Sequence, residues 1–300
     1  MTQRHYYRNF DWLRLFLAVE VVAAHSGIAS NGVPVSPVPG FLAISGFVVM
    51  GSLEHRTAWQ FLAARALRVL PLLAVMFAYV GWQFGLDAMI QNILFWLWLD
   101  NRPPVNSVVW TLTYEELFYL MLLLIGVAGG YRWRWIPVAL AMSCMVAVAY
   151  SDAYRSLGGF AMLGGAFFLG NAMYLYRREV AAVPAWAACA FSVIAFTVAF
   201  LAPYDAIVRP NVVLQDFVSF AALIVLAVAG PQLPRLTMDL SYSLYLLHLF
   251  FRDALVVSVG LGWTLFALVL ALCLPLCVAS WFLIERPALR LKPRNRATLR

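Results

Sequence analysis

From about residue 10 to residue 284 the chain consists of apolar stretches, about 15 to 22 residues each, separated by short polar breaks. A run of about 20 apolar residues is the length of helix that crosses the hydrocarbon core of a bilayer. In that medium every backbone N–H and C=O must be paired internally, so only helices and closed barrels can span it. The stretches show no strict alternation of apolar and polar residues, which argues for helices over a barrel. No segment is left over that would fold as a soluble unit of its own. The composition agrees: 64% of the residues are hydrophobic and 12% charged, against about 25% charged in an average soluble domain. The expectation is one all-α integral-membrane domain over residues 1–300, a polytopic bundle of about ten transmembrane helices. The spans fall near 10–28, 38–54, 69–86, 112–128, 135–151, 159–176, 184–202, 215–230, 240–259 and 262–284.

The remaining apolar run, AMIQNILFWLWLD at 88–100, is short and begins two residues after the preceding span ends. Loop charge decides how to count it, because cytoplasmic loops collect Lys and Arg. With ten spans and both termini in the cytoplasm, sixteen of the 21 basic residues fall inside, and Arg102, Arg155 and Arg209 fall outside. Arg14 and Arg252 lie within spans. An eleventh span would move the Arg-rich C-terminal tail outside, so the segment near 88–110 is read as re-entrant or interfacial, on the outer side. This distribution also accounts for the net charge of +7 as topology and not as a nucleic-acid surface. Asp11, Arg14 and Glu20 interrupt the first run, which marks it as a retained helix and not a cleaved signal. Cys144, Cys189, Cys273 and Cys277 all lie within apolar runs and read as small buried hydrophobes, so no metal site is expected.

Ionisable residues inside such runs cost at least a few kcal/mol and mark functional positions. In RLFLAVEVVAAH, Arg14 and His25 are eleven residues apart, about 20° beyond three full helical turns, so they share a face. They are separated by about 16 Å along the axis. Asp11 lies near that stripe; Glu20 faces elsewhere, toward a neighbouring helix. WTLTYEELFYL, residues 110–120, brings Glu115 and Glu116 about one turn into a span that starts outside, at a depth comparable with His25. The two carboxylates point about 100° apart, so one could meet His25. A carboxylate beside a histidine orients its tautomer and stabilises the imidazolium, as a general base requires. Either glutamate also suits a helix N-terminus, where negative charge complements the dipole.

Three further stretches matter. GFLAISGFVVMGS, residues 40–52, places Ser45 and Gly46 in a span, where small residues permit close helix contact or let a long ligand pass the backbone. FLAARALRVLPL, residues 61–72, puts Arg65 and Arg68 three apart on a short amphipathic cytoplasmic helix, as a phosphate clamp or a membrane-surface anchor. LSYSLYLLHLFF, residues 240–251, aligns Tyr242, Tyr245 and His248 at i, i+3, i+6. Aromatic packing around a hydrogen-bonded histidine explains that pattern as well as ligand binding does.

Taken in order over nearly the whole chain, these elements, with FLIERPALR near the end, resemble the acyltransferase-3 family of membrane O-acyltransferases. The resemblance implies a multi-pass protein of the bacterial inner membrane. It would move an acyl group, usually acetyl, from cytoplasmic acyl-CoA to a hydroxyl of a glycan, lipopolysaccharide or glycolipid, with membrane lipid around it and no nucleic acid or metal involved. By position, His25 matches the family's essential histidine and Arg14 its partner. Glu115 matches the glutamate of the W-x-L-x-x-E element, with Glu116 beside it as a further catalytic candidate. Arg14, Arg65, Arg68, Ser45 and Gly46, together with Tyr242 and His248, are the candidates for binding acetyl-CoA. Some members carry a fused extracytoplasmic esterase-like domain; without one, the membrane domain or a separate protein completes the transfer. His25 would act as base for direct attack by the acceptor, oriented by Glu115, or alternatively as an acyl-accepting nucleophile. A transporter or flippase also uses intramembrane charges, but it predicts inverted repeats and Gly/Pro-broken helices in both halves, and neither is seen.

Overall fold

The structure, a computed structural model, describes residues 6–28, 35–150, 158–201 and 210–293. Arg155 and Arg209, two of the three basic residues expected outside, lie outside the described residues. The described residues are helical with no strand. The helices are α1 Asn9–His25, α2 Pro37–Glu54, α3 Ala58–Phe84, α4 Leu86–Trp96, α5 Val109–Val127, α6 Trp135–Tyr150, α7 Gly158–Leu175, α8 Arg177–Ala181, α9 Ala185–Leu201, α10 Pro210–Ala229, α11 Ser241–Val259, α12 Trp263–Ser280 and, after a π-helical turn at Trp281–Glu285, α13 Arg286–Arg290.

Each span expected from the sequence coincides with a helix. Among the described residues, five helices are long and apolar enough to cross a membrane: Pro37–Glu54, Ala58–Phe84, Val109–Val127, Ser241–Val259 and Trp263–Arg290. Trp135–Ala149, Gly159–Leu175, Ala185–Leu201 and Val213–Ala229 are shorter apolar helices. One boundary is corrected. The amphipathic stretch carrying Arg65 and Arg68 is not a separate helix but the first part of α3, which runs unbroken through Pro71. Its start is fixed by a capping box: Gln60 N–H donates to Thr57 Oγ1 while Thr57 N–H donates to Gln60 Oε1. Its end is fixed by Gly85, whose φ of +93° is readily adopted only by a residue without Cβ. The segment after it forms α4, which packs along α3.

The chain forms two compact units. The first comprises residues 1–20, 29–51 and 125–237, and the second residues 21–28, 52–124 and 238–300. In the first unit α6 packs on α7, α9 on α10, and α10 also on α6 and α7. Glycines set the closest approaches. A Cβ on Gly46 of α2 would lie 2.0 Å from the Phe167 carbonyl oxygen of α7, and one on Gly170 of α7 would lie 2.1 Å from that of Ala43. The two backbones are therefore in direct contact, the small-residue crossing expected where lipid supplies no hydrophobic drive for association. Asn9 closes one end of the unit, donating to the carbonyls of Leu226 and Pro231 at 3.2 and 3.0 Å while its own oxygen accepts from Leu233 N–H at 2.9 Å.

In the second unit α11 packs on α12 and α3, and α3 packs on α4, the π turn and α13. Its interior contains hydrogen-bonding groups: Ser26, Asn92, Asn106, Ser243 and His248 are fully enclosed.

Candidate active site

The polar residues of the second unit follow the face of α11 that the sequence aligned at i, i+3, i+6. Asp239, just ahead of the helix, accepts from Ser241 N–H at 3.3 Å and from Ser241 Oγ at 2.6 Å, supplying negative charge at the helix start. Tyr242 OH donates to the Val69 carbonyl at 2.9 Å. One turn on, Tyr245 OH meets Thr111 Oγ1 at 2.6 Å and donates to the Val108 carbonyl at 3.2 Å. A further turn on, the ring of His248 meets that of His25, Nε2 to Nδ1, at 2.9 Å. From Tyr242 to His248 the helix rises about 9 Å.

The last turn of α1 is held against this column at three points. Besides the contact between the rings, Arg252 Nε donates to the His25 carbonyl at 3.2 Å, and Gly262 N–H donates to the Ser26 carbonyl at 2.8 Å. Arg252 also pairs with Asp253 at 2.7 Å. His25 is partly exposed and His248 fully buried.

The expected pairing of His25 with Glu115 is not what forms; the side chain that meets its ring is His248, and the Val21 backbone is also hydrogen-bonded to it. The reason is depth. Asn106 anchors the start of α5 by donating from Nδ2 to the Leu246 carbonyl at 2.8 Å. The Thr111 level then faces Tyr245, and Glu115 follows about 6 Å farther along α5, away from His248. Glu115 instead accepts a hydrogen bond from Tyr119 OH, and it lies within electrostatic reach of Tyr242 and Tyr245. Glu116 is half-buried beside it.

At the other end of the column lie the two arginines. Arg65 stacks over the Tyr119 ring at 5.8 Å and Arg68 over the Tyr242 ring at 5.7 Å. Arg68 is also bound to Asp239 at 2.7 Å and to Glu285 at 3.8 Å. Glu285 ends the π turn, whose extra residue per turn swings the carboxylate inward, where it also accepts from Ser280 Oγ at 3.1 Å. Arg68 therefore joins three chain segments, and its charge is balanced within the protein.

The remaining candidates belong to the first unit. Arg14 is half-buried in α1, Ser45 is buried in α2, and Gly46 is occupied by its backbone contact with α7. Of the two readings offered for the small residues of α2, close helix contact is the one realised at Gly46. The sequence reading gave no role to Thr111, Tyr119, Asp239, Arg252 or Glu285. Asp239 before Ser241 carries a helix-start signature that could have been found, and Glu285 is the one carboxylate of its apolar run.

Outside the helices, Arg102 donates to both carboxylate oxygens of Asp100, from Nε to Oδ1 at 3.2 Å and from Nη2 to Oδ2 at 2.6 Å. This holds the Asp100 carboxyl below its ordinary range, chiefly through the side-chain hydrogen bond.

Residues 7–284 match the family described as an acyltransferase domain. Among similar proteins, the exopolysaccharide production protein ExoZ of Rhizobium meliloti (strain 1021) is 28% identical, over 95% of this chain and 97% of that one. Nodulation protein 10 of Rhizobium leguminosarum bv. viciae is 26% identical, over 95% and 94% respectively. No solved structure matches the chain.

Proposed function

This chain belongs to the acyltransferase-3 family and is a multi-pass membrane acyltransferase, and from that premise we propose that it transfers an acetyl group from cytoplasmic acyl-CoA to a hydroxyl of an extracytoplasmic polysaccharide. A relative matched along nearly its whole length favours a glycan as acceptor, being named for exopolysaccharide production. In this reading the protein is a single membrane domain of the bacterial inner membrane. It has ten spans with both termini in the cytoplasm, and α4 with the loop after it lies on the outer side.

The observation that carries the reading is the column on α11, which ends in an imidazole pair at one end and in two stacked arginines at the other. CoA is polyanionic, and the cytoplasmic side is where Arg65 and Arg68 would meet its phosphates. Because Arg68 is already paired with Asp239 and Glu285, its main contribution is to hold the donor end in shape. Tyr242 lines the way between, Glu115 and Glu116 lie along the same column, and His25 takes the proton of the acceptor hydroxyl as it attacks the thioester. Arg14 and Ser45 keep a donor-side assignment on the family resemblance, which a raised KM for acetyl-CoA in Arg14→Ala or Ser45→Ala would support. No metal takes part.

The test is thioester turnover. Purified protein in detergent, given acetyl-CoA and an oligosaccharide fragment of the surface polysaccharide, should release free CoA and yield an O-acetylated glycan by mass spectrometry. His25→Ala, with an unchanged elution profile, should do neither. Full CoA release by that variant would refute the assignment.

A further inference from the structure

His248 can be given a role that its place in a tyrosine-rich helix face does not suggest. Its Nδ1 lies 2.8 Å from the Tyr245 carbonyl and 3.1 Å from that of Leu244. A carbonyl oxygen can only accept, so Nδ1 carries the proton. A neutral imidazole has one N–H, so Nε2 of His248 presents a lone pair, and it presents it to His25 Nδ1 at 2.9 Å. His25 Nδ1 must then be the donor, which leaves the lone pair of His25 on Nε2. The alternative, a doubly protonated His248, would place a cation in a fully enclosed site facing the His25 ring. Asp253 is the carboxylate that acts on both imidazoles, and it is already bound to Arg252, whose guanidinium opposes positive charge on His25. A buried charge so weakly compensated is strongly disfavoured.

We propose that His248 is the positioning residue of the acyl transfer, fixing His25 as its Nδ1–H tautomer so that Nε2 is the reacting nitrogen. This rests on the acyltransferase reading above. In the step, the acceptor O–H gives its proton to His25 Nε2 as the oxygen forms a bond to the thioester carbonyl carbon. The C–S bond then breaks, and the CoA thiolate takes the proton back from Nε2, leaving ester and free thiol with His25 restored. While His25 is an imidazolium, its Nδ1–H bond to His248 becomes charge-assisted and roughly twice as strong as a neutral one. The helix carbonyls of α11 thus do for His25, through a second imidazole, what a carboxylate does in other general-base sites.

The chain has four histidines, so 15N-histidine labelling of the wild-type protein gives a spectrum assignable with His25→Gln and His248→Gln. The expected result at neutral pH is Nδ1–H on both His25 and His248; Nε2–H on His25 would overturn the proposal whatever the activity. Kinetics give a second arm. His248→Gln, whose amide oxygen can still accept from His25, should keep kcat within about tenfold. His248→Leu should lose about 10²-fold or more in kcat, within the range of a general-base contribution, with KM for acetyl-CoA changed less than twofold. Equal kcat for the two variants, or an effect on KM alone, would sink the positioning role. If His248→Leu does not fold, the wild-type tautomer decides. If His25→Ala still turns over acetyl-CoA, the acyltransferase site has been misplaced, while the tautomer result stands or falls independently.

Discussion

In the first unit helices approach one another where side chains are missing, and in the second they are joined by side chains that carry charge. Gly46 and Gly170 bring α2 and α7 into backbone contact, and Phe167, Phe168 and Phe220 fill the interior beside them. The second unit instead holds a salt-bridged arginine, a buried imidazole in contact with a partly exposed one, and two asparagines bonded to backbone. Shape complementarity tolerates few volume changes but makes no demand on protonation. A buried polar column is costly to break at any one point and responds to chemistry. Both units bury polar groups, and the difference teaches where to look for reactivity: the unit in which they are bonded in succession along one helix face is the one that contains the catalytic candidates.

The strongest way to break this contrast is at His25. His25→Ala should lower kcat for CoA release by about 10²- to 10⁴-fold, the usual contribution of a general base, with its thermal midpoint near that of the wild type. A comparable loss on removing Glu115 by Glu115→Gln, with intact folding, would show that the carboxylate also belongs to the reacting group. Next in size is Arg68→Met, which leaves buried Glu285 and half-buried Asp239 without their counter-charge. A cost of about 3 to 5 kcal/mol is expected, read as a lower unfolding midpoint in detergent.

Gly46→Ala should follow, at about 1 to 3 kcal/mol for overpacking, because its new methyl meets the Phe167 carbonyl, which cannot rotate away. A raised KM for acetyl-CoA at an unchanged midpoint would instead return Gly46 to donor binding. The smallest effect belongs to half-buried Asp100 and exposed Arg102, outside the helices. The folded-state carboxyl of Asp100 sits below its unfolded value, so its contribution is full above the ordinary aspartate range and is lost as pH falls through the depressed folded value. The pair should also weaken with added salt. Asp100→Asn should therefore flatten a slight acid-side decline in midpoint, measurable only at low ionic strength.

How far the sequence could be read depended on the range of the interaction that had to be inferred. The apolar runs gave the helices, including the awkward one after Gly85, because length and hydropathy are properties of a segment alone. Gly46 was readable as a small residue in a span, yet its neighbour was not. The Arg65/Arg68 stretch reads from the sequence as a short helix of its own, whereas the Thr57 cap starts a single helix that runs through Pro71 into the apolar run after it. Glu115 was placed level with His25 by counting from an assumed start of α5. The anchoring of Asn106 to Leu246, residues 140 apart, was invisible to that count, and it sets the actual depth.

By itself, then, the sequence determined that this is a helical membrane protein, that Tyr242, Tyr245 and His248 share one helix face, and that ionisable groups sit within its apolar runs. All of these follow from backbone hydrogen bonding and helical period within one segment. Only the tertiary structure decided that the partner of His25 is an imidazole and not a carboxylate, and that Arg68 spends its charge on Asp239 and Glu285. Which side chains meet across two helices depends on their relative height and rotation, and those are set by contacts between residues far apart in the chain, for which local hydrophobic pattern carries no signal.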